Sequence, residues 1–221
     1  MSKPRMKYSK SLFAKKDAQK SLSTKVAKVT RDVKEIKSMI ESKVQDTNIP
    51  LQNIPTTPVV TLLNGLIRGD DYNQRNGRVV KFNSIYQRLT CQSVATATLP
   101  HYIRYVLFWV KDSSGAAPTP LQMFGSAVPG INQMLNLNVR KDFIILADDI
   151  LKLQVVNGGN SSNFKKYYKK TNQQTVFNAT NTGLITDIEA GALYCFIWSD
   201  TNTAGEQPQF TLQSRLRFND A

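Results

Sequence analysis

"QFTLQSRLRF", residues 209–218, alternates without a break: Phe210, Leu212, Ser214, Leu216 and Phe218 fall on one side, and Thr211, Gln213, Arg215 and Arg217 on the other. A period of two marks a strand with one buried and one wetted face. Working outward, "ALYCFIWS" (192–199), "YIRYVLFWV" (102–110) and "VVTLLNGLI" (59–67) are apolar and β-prone, and "RVVKFNSIYQRLTCQSVATA" (78–97) is a long β-rich run. "KDFIILADDILKLQVV" (141–156) supplies more strand, with Asp148-Asp149 expected as a turn between two strands. The clusters "KDSSGAAPTP" and "NGGNSSN" punctuate these runs. Short strands with turn-forming connections predict an all-β sandwich, barrel or jelly roll.

The charge is uneven. The 221 residues are 41% hydrophobic and carry a net charge of +13. Residues 1–45 hold 13 Lys and Arg against 4 acidic residues, so a fifth of the chain carries most of the charge. Basic terminal arms bind nucleic acid because each phosphate contact releases condensed counterions. The expected phosphate-binding residues are Lys3, Arg5, Lys7, Lys10, Lys15, Lys16, Lys20, Lys25, Lys28 and Arg31. No apolar run is long enough to span a bilayer, and no apolar segment follows the basic start, so neither a membrane partner nor a secretory signal is expected. Cys91 and Cys195 are far apart and are read as reduced, strand-borne and apolar.

Within the arm, residues 1–21 show little periodicity and are expected to be disordered. From residue 22 the pattern changes: Leu22, Val26, Val29, Val33, Ile36 and Ile40 step by fours and threes, the seam of a coiled coil. Residues 22–45 are therefore predicted as an amphipathic helix. β-Branched residues in both seam rows favour three or more strands; the alternative is a helix packed on its own body. The narrow stripe lacks Trp or Phe, which argues against a membrane-surface helix. Residues 46–58 contain three prolines and read as an extended linker, leaving 59–221 as the body.

Catalytic patterns are missing from the sequence. His101 is the one histidine, and no GxSxG, HExxH, P-loop or GxGxxG motif occurs. His101, after Pro100, is expected at the surface or at the start of a strand. "NFKKYYKKT" (163–171) interleaves cations with aromatics. As a strand it would put Lys165, Tyr167 and Lys169 on one face and Lys166, Tyr168 and Lys170 on the other. No enzymatic activity is expected.

"LLNGLIRGDDYNQRNGRVVKF" (62–82) resembles the first strand and following turn of the coat protein of satellite tobacco necrosis virus, whose family carries a similar N-G-I-I-x-G-D-D-x-N-Q-R-x-G segment. "YIRYVLFWVKDSSGAAPTPLQMF" (102–124) and "RKDFIILADDILKL" (140–153) resemble later segments, and "NDA" its acidic end. Small capsid proteins of circular single-stranded DNA viruses share this layout. The resemblance implies an eight-stranded antiparallel jelly roll of two packed four-stranded sheets, carrying a basic N-terminal helical arm. It also implies a T=1 icosahedral shell of about 60 copies with trimer contacts, the helix bundling in threes and the arm meeting a single-stranded genome, RNA or DNA. The site of residence would be the virion, after synthesis in the host cytoplasm, or the nucleus for a DNA virus. By the same resemblance, Asp70 would bind structural Ca²⁺ at the threefold axis, and Asp220 would match a second calcium site whose other ligand positions here hold Arg78 and Val79. The competing class is a cellular trimeric jelly-roll binding module, lectin- or cytokine-like.

Overall fold

The computed structural model describes residues 22–33, 42–113, 115–154 and 161–220. The chain divides into two units, Met1–Glu41 and Ser42–Ala221.

In the first unit, residues 22–33 form helix α1. Its seam residues Leu22, Val26, Val29 and Val33 are 43–63% exposed and form one apolar stripe along the helix. Ile36 and Ile40 lie outside the described residues, as do residues 1–21.

The second unit is built from β1 (Ser42–Asn53), β2 (Val59–Leu62), β3 (Val79–Gln92), β4 (His101–Val110), the short helix α2 (Pro120–Phe124), β5 (Phe143–Leu153), β6 (Ser162–Phe177), β7 (Ile188–Ala190), β8 (Ala192–Ser199) and β9 (Gln209–Asp220). All strand pairs are antiparallel. One sheet runs β1-β9-β3-β6-β7 and the other β2-β8-β4-β5. The chain crosses from one sheet to the other at most connections, the winding of a jelly roll. The three-residue β7 is an addition to the expected eight strands.

Each sheet explains its own sequence pattern. β9 buries Phe210, Leu212, Ser214, Leu216 and Phe218, as its period of two requires. β4 and β8 do not alternate because they are covered on both faces. Inward, Trp109 meets Phe82 and Tyr105 stacks on Tyr167 of the facing sheet, with ring centroids 5.9 and 5.2 Å apart. Outward, α2 lays Phe124 against Phe196 and Trp198, at 6.4 and 5.2 Å. Thr119 caps α2 in a reciprocal box with Gln122, and Gly125 ends it in the left-handed region that glycine tolerates. Cys91 and Cys195 are free and buried in β3 and β8, and burial pushes each thiol up to about 12.

Three expectations are corrected. Residues 42–53, read as the end of the helix and the start of a linker, form β1, paired with β9 from Ser42↔Asn219 to Asn53↔Gln209. β1 is an edge strand, and its Pro50 sits where the register shifts between Ile49 and Gln52, a place that tolerates a missing N–H. The "LLNGLI" segment therefore starts at the last residue of the second strand, not in the first, and its residues 63–67 leave the sheet. Asp148-Asp149 is no turn: both lie inside β5, which runs unbroken opposite β4 across one bulge.

Asp148 has a partner instead. Arg104 of β4, 6% exposed, stacks over Phe124 and Trp198 and donates to both Asp148 carboxylate oxygens at 2.8 and 2.7 Å. It also donates to the carbonyls of Ile131 and Gln133. The pair fastens residues 131–133 to the sheet they cover. Asp148→Ala leaves a buried guanidinium without its counter-charge and is expected to cost about 3 kcal/mol. Urea unfolding of the variant beside Asp148→Asn reads this; a loss under about 0.5 kcal/mol in Asp148→Ala would refute it.

Candidate functional site

The turn between β2 and β3 is closed by backbone. Arg75 donates its N–H to the Ile67 carbonyl at 3.0 Å, and Gly69 donates to the Arg75 carbonyl at 2.9 Å. Gln74 donates to Asp71, and the Gln74 side chain folds back so that a Cβ on Gly69 would meet it at 1.7 Å. A side chain at 69 would have to displace the Gln74 amide from this place. Beneath the turn Arg75 is 2% exposed. Its guanidinium lies 4.4 Å over the Phe177 ring and donates to the carbonyls of Leu66, Gly77 and Thr180. Burial lowers its pKa, and the Asp187 charge acts against that shift.

The two carboxylates singled out from sequence arrive at this one turn. Asp70 is exposed and accepts a bond from the Asn76 side-chain amide at 3.0 Å. Asp220, at the end of β9, accepts from the backbone N–H of Asn76 and of Gly77, the latter at 3.2 Å. Lys43 of β1, 1% exposed, places its ammonium 3.4 Å from the same Asp220. Asp220 thus already has a cation and two N–H donors. Asp71 is exposed, and its carbonyl closes the turn. Among the described residues no group of three His, Cys, Asp or Glu residues gathers in one protomer.

Lys25, Lys28 and Arg31 stand exposed on α1. Lys3, Arg5, Lys7, Lys10, Lys15, Lys16 and Lys20 lie outside the described residues. In β6 the predicted faces separate: Tyr167 points to the core and is 7% exposed, while Tyr168 is 59% exposed. His101 does start a strand, but it is not at the surface. It is 4% exposed, its Nδ1 is 3.6 Å from Asp200, and its buried Nε2 has no partner among the described residues.

Sequence reading missed Asp187. It is fully buried and accepts four bonds: the hydroxyls of Thr180 and Thr182 at 2.6 and 2.8 Å, and the N–H groups of Thr182 and Gly183 at 2.5 and 2.7 Å. This fixes the Thr180 carbonyl that receives Arg75. The available signal was "NATNTGLITD", a polar Asn, Thr and Gly run ending in an acid.

The fold and these sites define a jelly-roll protein whose distinctive side chains hold turns and strands in place. The chain belongs to the Satellite tobacco necrosis virus coat protein family, whose family model matches residues 13–221. It is thus a viral coat protein with a structural role, a component of the virion that assembles with copies of itself. No curated protein matches the sequence. Solved structures similar to it include those of Desmodium yellow mottle tymovirus, at 10% identity and TM-score 0.35 over 82% of this chain and 88% of that one. Turnip yellow mosaic virus is similar at 12% identity and TM-score 0.35 over 82% of each chain.

Burial alone would raise the Asp187 carboxyl, but the bonds from Thr180, Thr182 and Gly183 outweigh it and hold it below the usual carboxylate range. Its stabilisation is therefore fully present above the unfolded value of about 3.9 and is lost as pH falls through the lower folded value. Asp187→Asn is expected to unfold at lower urea at neutral pH, by about 2 kcal/mol, with the gap to the parent closing below about pH 4. A gap that stays constant from neutral to acid pH would contradict the assignment.

Proposed function

We propose that the protein builds a T=1 icosahedral shell of about 60 copies and packages a single-stranded genome through its basic N-terminal arm. The observation that carries this is the union of a coat-protein jelly roll with an arm holding 13 of the 29 Lys and Arg residues. About 60 arms of net charge near +9 bring roughly 540 positive charges into the shell, enough to neutralise several hundred phosphates. The apolar stripe Leu22, Val26, Val29 and Val33 supports bundling of α1 in threes, and in the sequence Ile36 and Ile40 keep the same spacing. Synthesis in the host cytoplasm goes with this reading.

Electron microscopy of the protein expressed with nucleic acid is expected to show closed particles. Soluble trimers alone at physiological salt would sink the proposal. Replacing Lys3, Arg5, Lys7, Lys10, Lys15, Lys16 and Lys20 by Gln is expected to lower the absorbance ratio of 260 to 280 nm in purified particles. An unchanged ratio would remove the arm's role.

Asp70 is proposed as the calcium ligand. It is exposed, it is oriented by Asn76, and one carboxylate from each of three copies suits an oxygen-liganded ion. Chelation is expected to lower the melting temperature of parent particles and to leave Asp70→Asn particles unaffected. Equal sensitivity of the two would count against the site.

A further inference from the structure

The outward face of the five-stranded sheet carries a second basic surface, remote in sequence from the arm. Cross-strand register assembles it. Arg217 of β9 lies opposite Ser84 of β3, which lies opposite Lys170 of β6. Two residues further, about 6.8 Å along the strands, Arg215, Tyr86 and Tyr168 form the next row. Gln213, Arg88 and Lys166 form the third. The residues alternating with these positions along β3 and β9, such as Ile85, Leu89, Leu212 and Leu216, are buried in the core, which fixes the rows as outward.

Two features suit a polyanion with flat bases. The rows contain one carboxylate on their border, Asp46 of β1, which Arg215 holds with two bonds of 2.7 Å. Arg88, Lys166, Lys170 and Arg217 pair with no carboxylate among the described residues. The aromatic rings are the second feature. Arg88 lies 5.5 Å over the Tyr86 ring and donates to its hydroxyl, which holds that phenol below its ordinary pKa. Beside it, Tyr168 has no ring partner among the described residues, and a groove runs between Tyr86, Tyr168, Arg215 and Arg217. Cations flanking an open ring such as Tyr168 on a sheet bind single strands, the ring stacking a base and the cations meeting phosphates. A flat face offers no element to enter a duplex groove. The same cations would repel a second copy of this face.

We propose that this face, centred on Tyr86, Tyr168, Arg88 and Lys166, is a stacking platform for single-stranded nucleic acid that works beside the arm. The proposal rests on the genome-packaging reading above. The test uses the full chain in four forms: parent, the seven-residue arm variant, Tyr168→Ala with Lys166→Gln, and Tyr168→Phe. Fluorescence anisotropy follows a labelled oligouridylate of about 20 nucleotides and an RNA duplex of equal length, across a salt series. The Ala/Gln form is expected to bind the single strand about tenfold more weakly, with a salt slope smaller by about 0.7, and the duplex like the parent. Tyr168→Phe keeps the ring and is expected to match the parent. The arm variant is expected to weaken both probes alike. Parental oligouridylate affinity in the Ala/Gln form overturns the platform, and if the arm variant still loses binding, the arm reading stands. Parental affinity in the arm variant, with loss in the Ala/Gln form, overturns the arm reading and supports the platform. Parental affinity without particle formation in the Ala/Gln form would make the face a contact between copies and overturn the proposal.

Discussion

The pairing of β9 with β1 on one side and β3 on the other is the constraint on which the rest depends. It seats the last strand of the body between the first and the third. Its inward side chains fill the core, and its last residue, Asp220, reaches the turn at Asn76 and Gly77 while meeting Lys43. The turn bearing Asp70 is therefore located by a strand some 140 residues further along the chain. Arg75 and Asp187 secure the same turn from below, through buried hydrogen bonds whose loss would leave polar groups stranded away from water.

The sequence made legible whatever a single strand decides alone. β9 could be read from its alternation, and β4 and β8 from their apolar runs, since burial on one face or two writes those patterns directly. β1 could not be read so. As an edge strand it buries few residues, among them Lys43 and Ile49, and its Pro50 resembles a linker signal. The heptad stepping upstream extended the helical reading past the point where the strand begins. Asp148-Asp149 misled for a related reason. Acids in tandem usually mark turns, but here a buried Arg104 on the neighbouring strand holds one of them inside β5.

The sites were legible in proportion to how local they are. The carboxylates at 70 and 220 could be singled out by resemblance, but their convergence on Asn76 belongs to the tertiary structure. The cationic face is less local still. Arg88, Lys166 and Arg215 come from three separate stretches, and only the register of three strands sets them side by side. "NFKKYYKKT" displayed the charge without the direction; Tyr167 turning inward onto Tyr105 gives Tyr168 its outward aspect.

The buried thiols carry a different consequence. With both pushed up to about 12, Cys91 and Cys195 hold almost no thiolate at neutral pH, and thiolate is the species that attacks disulfides and oxidants. They sit in opposite layers of the sandwich, on β3 and β8, sealed from solvent. A subunit built this way keeps both of its thiols out of disulfide exchange in reducing and oxidising surroundings alike.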